Sequence, residues 1–64
     1  MPSYRLYFLD SSGHIRSAVD IPAASDGEAV RLALARGETA AMELWERARI
    51  VRTFRAGGAG KASA

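Results

Sequence analysis

The first third of the chain alternates between apolar and polar positions, which is the period expected of β-strands. One face of a strand over residues 4–9 would carry Tyr4, Leu6 and Phe8. Residues 10–13, Asp-Ser-Ser-Gly, favour a turn, because Asp and Ser side chains bond to nearby backbone and Gly accepts a positive φ. In the next strand the apolar residues recur at even spacing, at Ile15, Val19 and Ile21, with Arg16 and Asp20 opposite them. We therefore predict a β-hairpin over residues 3–21.

The period changes to that of a helix after Pro22, which cannot donate to a sheet hydrogen bond and so ends the second strand. Ser25 and Glu28 have the spacing of a capping box, in which each side chain would accept from the backbone N–H of the other residue. Helical spacing continues through Ala29, Val30, Ala33 and Leu34. Gly37 suits a left-handed helix end. We predict one helix over residues 26–36.

Residues 39–54 allow two structures, and the choice between them decides the fold. Helix propensity is high here, and a helix over residues 39–52 would give a ββαα fold. A hairpin with Arg47 and Ala48 at its tip gives favourable cross-strand pairs, although Arg-Ala is a weak turn sequence. These pairs would be Glu46 with Arg49, Leu44 with Val51, and Glu43 with Arg52. We prefer the hairpin and predict a small α+β domain of ββαββ order over residues 1–55.

Composition limits the interactions that could stabilise so short a chain. Residues 56–64 consist of Ala, Gly, Lys and Ser, so we expect a disordered tail. The remaining body is near the lower size limit for a domain that folds alone. The absence of cysteine excludes disulfides and thiolate metal sites, and with one histidine we expect no metal and no other cofactor. Association into a homodimer is the expected source of further stability.

Three properties of the chain indicate a cytoplasmic protein without catalytic residues. No apolar run is long enough to span a bilayer, and residues 4–9 are too short for the apolar part of a secretory signal. The acidic residues are explained as caps and cross-strand partners. His14 lies in a tight turn near Asp10, where a catalytic triad could not be held in line. We expect no enzyme activity and no association with membranes.

The predicted sheet has only one helix, which leaves its second face uncovered. With Leu6, Phe8, Leu44 and Val51 turned to the helix, the opposite face would carry Arg5, Tyr7, Trp45, Ile50, Arg52 and Phe54. Exposed apolar patches of this kind mark interfaces. We predict a contact surface for a second copy or another protein, with Tyr7, Trp45, Ile50 and Phe54 at its centre and Arg5 and Arg52 at its rim.

Nucleic-acid binding is the alternative function. The basic residues from position 47 onward have no acid among them: Arg47, Arg49, Arg52, Arg55 and Lys61. Beside Trp45 they could hold the phosphates of RNA or single-stranded DNA while aromatic rings stack on bases. A net charge of +2, with Glu43 on the same face, is weak for such a surface.

The chain also resembles a type of short proteobacterial protein of unknown function. The similar motifs are Tyr-Arg-Leu-Tyr-Phe-Leu-Asp, Ser-Gly-His-Ile, Ser-Asp-Gly-Glu-Ala-Val and Met-Glu-Leu-Trp-Glu, within residues 3–54. The resemblance implies a strand pair, one helix and a closing strand pair, with Arg47 and Ala48 at the position of the last turn. It implies no activity and no functional residues.

Overall fold

The computed structural model describes residues 3–56 and has four strands and one helix. The elements are β1 (Tyr4–Leu9), β2 (Ile15–Ile21), α1 (Asp26–Ala35), β3 (Met42–Glu46) and β4 (Arg49–Phe54). All pairs are antiparallel, in the order β2-β1-β3-β4. The predicted ββαββ α+β fold is confirmed, and the helical alternative for residues 39–52 is wrong. Most of the predicted tail, from residue 57 on, lies outside the described residues.

The turn between β1 and β2 forms as the sequence predicts. Asp10 Oδ1 accepts hydrogen bonds from the backbone N–H groups of Ser12 and His14, at 2.9 and 3.0 Å. Gly13 has φ 87°, a conformation that costs glycine little because it has no Cβ. The Asp10 N–H also donates to the His14 carbonyl at 2.8 Å, which closes the hairpin at this point.

The helix begins at the predicted cap, but one bond of the capping box differs. The Ser25 hydroxyl accepts from the Glu28 N–H at 3.2 Å, as expected. The Glu28 carboxylate accepts from the Ala24 N–H at 2.8 Å, one residue before the predicted donor. The helix ends at Ala35, and Gly37 takes the left-handed φ of 69°. The cap therefore also fixes the chain that enters the helix.

The core lies between the helix and one face of the sheet. Its buried residues are Tyr4, Leu6, Phe8, Ile21, Ala29, Ala33, Met42, Leu44 and Phe54. The small side chains of Ala29 and Ala33 let the helix lie close to the strands, with Val30 and Leu32 packed beside them. Leu34, which helical spacing placed with the apolar stripe, is 42 % exposed, so that prediction was wrong.

A one-residue β-bulge in β4 reverses the faces expected for its second half. Trp45 pairs with Ile50 and Leu44 pairs with Arg52, so Val51 has no partner of its own. The predicted pair of Glu46 with Arg49 is confirmed. The pairs predicted for Leu44 and Glu43 are wrong, and Glu43 lies opposite Thr53. An inserted residue shifts alternation by one, which moves every later side chain to the other face.

The bulge has a clear energetic reason. Without it, Thr53 would point to the helix and Phe54 to the outer face. With it, Phe54 lies opposite Met42 and is 8 % exposed, while Val51 still packs against the core. Burying a phenyl ring instead of a threonine side chain increases the apolar area removed from water. Arg52 moves to the helix-side register but remains exposed, because β4 is an edge strand.

A second bulge, in β2, places Ile15 on the face opposite to the one predicted. Phe8 pairs with Ser17 and Leu9 with Ile15, so Arg16 is the extra residue. The closed turn fixes the Leu9–Ile15 pair, whereas the apolar pair of Leu6 with Val19 fixes the rest of the register. The registers at the two ends of the strand pair differ by one residue, and the bulge accommodates this extra residue. Ile15 is therefore 59 % exposed on the face opposite Val19 and Ile21, against the prediction.

The turn between β3 and β4 consists of Arg47 and Ala48, as predicted. Arg47 has φ 57°, at the first turn position, where a type II′ turn favours glycine. Its N–H donates to the Ser3 carbonyl at 3.1 Å, which joins the turn to the start of β1. The fold thus imposes on Arg47 a conformation that its own sequence does not favour.

Candidate interaction surface

The face of the sheet that is turned away from the helix, here called the outer face, has an apolar centre between charged positions. One row across the sheet runs through Asp20, Arg5, Trp45 and Ile50. The next runs through Ala18, Tyr7, Glu43 and Thr53, and a third contains Ile15 and Leu9. Within residues 3–56, no helix or strand packs over these rows. A continuous apolar stripe thus crosses the sheet from Tyr7 to Ile50.

Tyr7 and Trp45 form the centre of the outer face. Their rings are perpendicular, with centroids 6.4 Å apart, a preferred geometry for aromatic pairs. The Trp45 indole N–H donates to Glu43 Oε1 at 3.1 Å, which links the ring to the neighbouring row. Ile50, opposite Trp45, is 44 % exposed. The ring contact and the hydrogen bond orient Tyr7 and Trp45, and Ile50 extends the apolar surface beside them.

The rim of the outer face is electrically balanced. The Arg5 guanidinium binds the Asp20 carboxylate at 3.0 Å, and both side chains are exposed. Glu43 and Arg16 add one charge of each sign. Of the residues predicted for a contact surface, Tyr7, Trp45, Ile50 and Arg5 lie together on the outer face.

The structure separates the other two predicted surface residues from this group. Phe54 lies in the core on the helix side, so the prediction that it faces outward was wrong. Arg52 pairs with Leu44 and also lies on the helix-side register. Both errors have the same cause, since both residues follow the bulge at Val51.

A polar cluster on the helix side joins β1, the helix start and the last hairpin. The Tyr4 hydroxyl donates to Asp26 Oδ1 at 2.6 Å. Arg49 donates to both Asp26 oxygens, at 3.1 and 3.2 Å, and to Glu46 Oε1 at 3.3 Å. Tyr4 and Asp26 are 22 residues apart, and no local sequence pattern indicates their contact.

The hydrogen bonds of this cluster shift the pKa values of its members. The hydrogen bond to Asp26, together with burial, raises the pKa of Tyr4 to about 12. The Arg49 guanidinium, and then the Tyr4 hydroxyl, lower the pKa of Asp26 below its usual value. The same carboxylate raises the pKa of Arg49. Every shift favours the charge state that holds the cluster together, so its role is to fasten the hairpin to the helix.

The histidine lies far from the polar cluster, at the opposite end of β1. His14 is in the exposed turn, with Nδ1 3.9 Å from Asp10 Oδ1. Within residues 3–56, no three His, Cys, Asp or Glu side chains are grouped so that they could hold a metal ion. The same residues contain no helix long and apolar enough to cross a membrane.

Comparisons with known proteins give no family for this chain. No protein-family model, no curated protein and no solved structure matches it. The resemblance to short proteobacterial proteins therefore stays a prediction. The function has to be argued from the outer face itself.

Proposed function

We propose that this protein is a non-catalytic, cytoplasmic self-association module that forms a homodimer through the outer face of its sheet. The observation that carries the proposal is the perpendicular Tyr7–Trp45 pair with Ile50 beside it, on a face that the described residues leave uncovered. A second copy is the partner for which the chain itself gives a reason, as argued next.

The size of the domain supports self-association. A body of this length removes a smaller share of its surface from water than a larger domain does. Packing two outer faces together would bury Tyr7, Trp45 and Ile50 and add apolar area that one helix cannot supply. The balanced rim suits a protein contact, since interfaces combine an apolar centre with a polar edge.

The distribution of arginines supports a protein partner over the nucleic-acid alternative. Arg49 is held on the helix side by Asp26 and Glu46. Arg52 also lies on the helix-side register, and Arg47 is 3.6 Å from a Glu46 oxygen. These three arginines therefore do not surround Trp45, and Arg5, which lies opposite Trp45, is paired with Asp20. A stacking surface for RNA needs cations on the same face as its aromatic rings.

The test is the solution mass over a dilution series, measured by light scattering after size exclusion. We expect the wild type to have at least twice the 6.9 kDa chain mass and to dissociate on dilution. Ile50→Arg should weaken association by tenfold or more, because it places a charge in the apolar centre. The matched control is Leu34→Arg, which adds the same charge at a similarly exposed residue, 42 % against 44 %, on the helix.

Trp45 fluorescence provides an independent measure of association, since the chain has a single tryptophan. Its emission should move to longer wavelength on dilution, as the ring passes from the interface into water. Trp45→Arg should weaken association by tenfold or more as well, with unchanged circular dichroism. A wild type that is monomeric at every concentration, or equal effects of Ile50→Arg and Leu34→Arg, would refute the outer-face dimer. Binding of a single-stranded oligonucleotide that weakens steeply with salt would favour the alternative function.

A further inference from the structure

We propose a second contact between copies, in which β2 pairs antiparallel with β2 of another chain about a two-fold axis at Ala18. The two four-stranded sheets would then become one continuous sheet. This contact uses an edge of the sheet instead of its outer face, and it does not depend on the dimer proposed above.

Hydrogen bonds in the structure show which backbone groups point to this edge. In β1, the Leu9 N–H donates to the Ala41 carbonyl at 2.9 Å, and the Ser3 carbonyl accepts from Arg47 at 3.1 Å. Odd-numbered residues of β1 thus direct their backbone groups toward β3, and even-numbered residues direct theirs toward β2. In an antiparallel pair, residues directly opposite each other either both point their backbone groups toward the partner strand or both point them away. The β2 residues opposite even-numbered residues of β1 therefore point toward β1, and those opposite odd-numbered residues point away. The N–H and C=O groups of Ala18 and Asp20 therefore point away from β1.

The edge is accessible and long enough to form a ladder. β2 has seven residues and contains no proline. Residues 15–18 and Asp20 are exposed, so the rest of the described chain does not cover this edge. Ala18 is a small side chain at the proposed axis, where the two strands approach each other. Two copies of Ala18 could exchange a pair of backbone hydrogen bonds there.

The charges of β2 complement those of a second β2 in this register. An axis at Ala18 places Arg16 of each chain opposite Asp20 of the other. Within residues 3–56, Arg16 makes no ion pair, and the Asp20 side chain is 79 % exposed with Arg5 as its one ionic partner. Arg16 is the extra residue of the β2 bulge, and counting back from Ser17 places it on the outer face, the side that also carries Asp20. Each Asp20 would then lie between Arg5 of its own chain and Arg16 of the second copy.

The other edge of the sheet does not suit self-pairing. β4 contains the bulge at Val51, and it carries Arg49 and Arg52, with Arg55 directly after it. Two copies of β4 would bring like charges together, which destabilises cross-strand pairs. Bulges and charges of one sign are common protections of sheet edges against pairing. In β2 the bulge is at Arg16, so residues 17–21 around the proposed axis keep a regular ladder and Arg16 lies at its end.

Charge reversal tests the proposed register. Arg16→Asp gives a strand with two acidic positions, and Asp20→Arg gives a strand with two basic positions. Each variant alone should lose about tenfold or more in edge pairing, because both ion pairs become repulsive. Both chains also carry Ile50→Arg, so that the outer face cannot join them. Their equimolar mixture should recover edge pairing as a heterodimer, seen by light scattering with one partner carrying a mass tag. A mixture that associates no more than the separate variants would overturn the proposal.

A backbone variant tests the hydrogen bonds without changing charge. Ala18→Pro removes one N–H that faces the edge, so the monomer should fold with an unchanged circular dichroism spectrum. We expect it to lose edge pairing; pairing equal to that of the wild type would overturn the proposal. Ile50→Arg separates the two contacts, since it affects the outer face alone. All edge variants are therefore measured in the Ile50→Arg background, where the outer-face contact is lost and the remaining association reports β2 alone.

Discussion

Replacing Phe54 tests whether the bulge at Val51 places its ring in the core. Simple alternation in β4 would put Ile50 and Phe54 on the same outer face. In the structure Phe54 is 8 % exposed and lies opposite Met42, whereas Ile50 is 44 % exposed beside Trp45. The substitutions Phe54→Ala and Ile50→Ala should therefore differ strongly in their effect on the free energy of unfolding.

The expected difference follows from the buried area. A phenylalanine side chain buries roughly 150–250 Å², and at about 25 cal/mol per Å² its burial contributes about 4–6 kcal/mol as an upper estimate. Measured Phe→Ala changes in cores cost about 3–5 kcal/mol. Ile50→Ala removes methylene groups that are already partly in water, and we expect about 1 kcal/mol.

These costs are large for so small a domain. At about 0.05–0.15 kcal/mol per residue, the described residues give a total stability of roughly 3–8 kcal/mol. Phe54→Ala should consequently unfold most of the protein at 25 °C. Phe54→Leu is the milder variant, with an expected cost of about 1–1.5 kcal/mol, and it keeps the measurement within range.

The assay is urea unfolding at low protein concentration, followed by far-ultraviolet circular dichroism and by Trp45 fluorescence. Coincident transitions from the two signals would support a two-state analysis. The reasoning about the bulge is refuted if Phe54→Ala costs no more than Ile50→Ala. A regular strand with Phe54 on the outer face would give that result.

Three further predictions concern the last turn and the polar cluster. Arg47→Gly should raise the free energy of unfolding by about 1 kcal/mol in urea titrations, because φ 57° strains a residue with a Cβ; Ala48→Gly, at a position without positive φ, should not stabilise. Arg49 and Tyr4 lower the pKa of Asp26, so its carboxylate stabilises the fold above the usual pKa of 3.8. This stabilisation is lost as pH falls through the folded value. Asp26→Asn should therefore make stability depend less on pH in the acid range. The pKa of Tyr4 is raised from 10.0 to about 12, so its stabilisation is complete below pH 10.0 and is lost as pH rises toward 12. Tyr4→Phe should remove this loss of stability at alkaline pH. An unchanged pH profile of stability in either variant would contradict the role of the cluster.

Local signals were enough to predict the elements of this fold and their order. The Asp10 turn, the Ser25 cap and the left-handed Gly37 each depend on residues within four positions of one another. The choice of a hairpin for residues 39–54 also followed from short-range pairing, since Glu46 and Arg49 face each other across a two-residue turn. Most of the outer face could also be predicted from alternation. Tyr7 and Trp45 lie in strands without an inserted residue, and Ile50 precedes the bulge in β4.

The tertiary structure alone decided where the alternation breaks. A bulge costs little locally, and its position is set by which residues gain most from the shared core, as Phe54 does against Met42. The contact of Tyr4 and Arg49 with Asp26 likewise joins segments that are distant in sequence. The sequence by itself therefore determined the strands, the helix and their turns. Packing against the helix determined which face Phe54 and Ile15 occupy, because burial depends on neighbours that only the assembled sheet brings together.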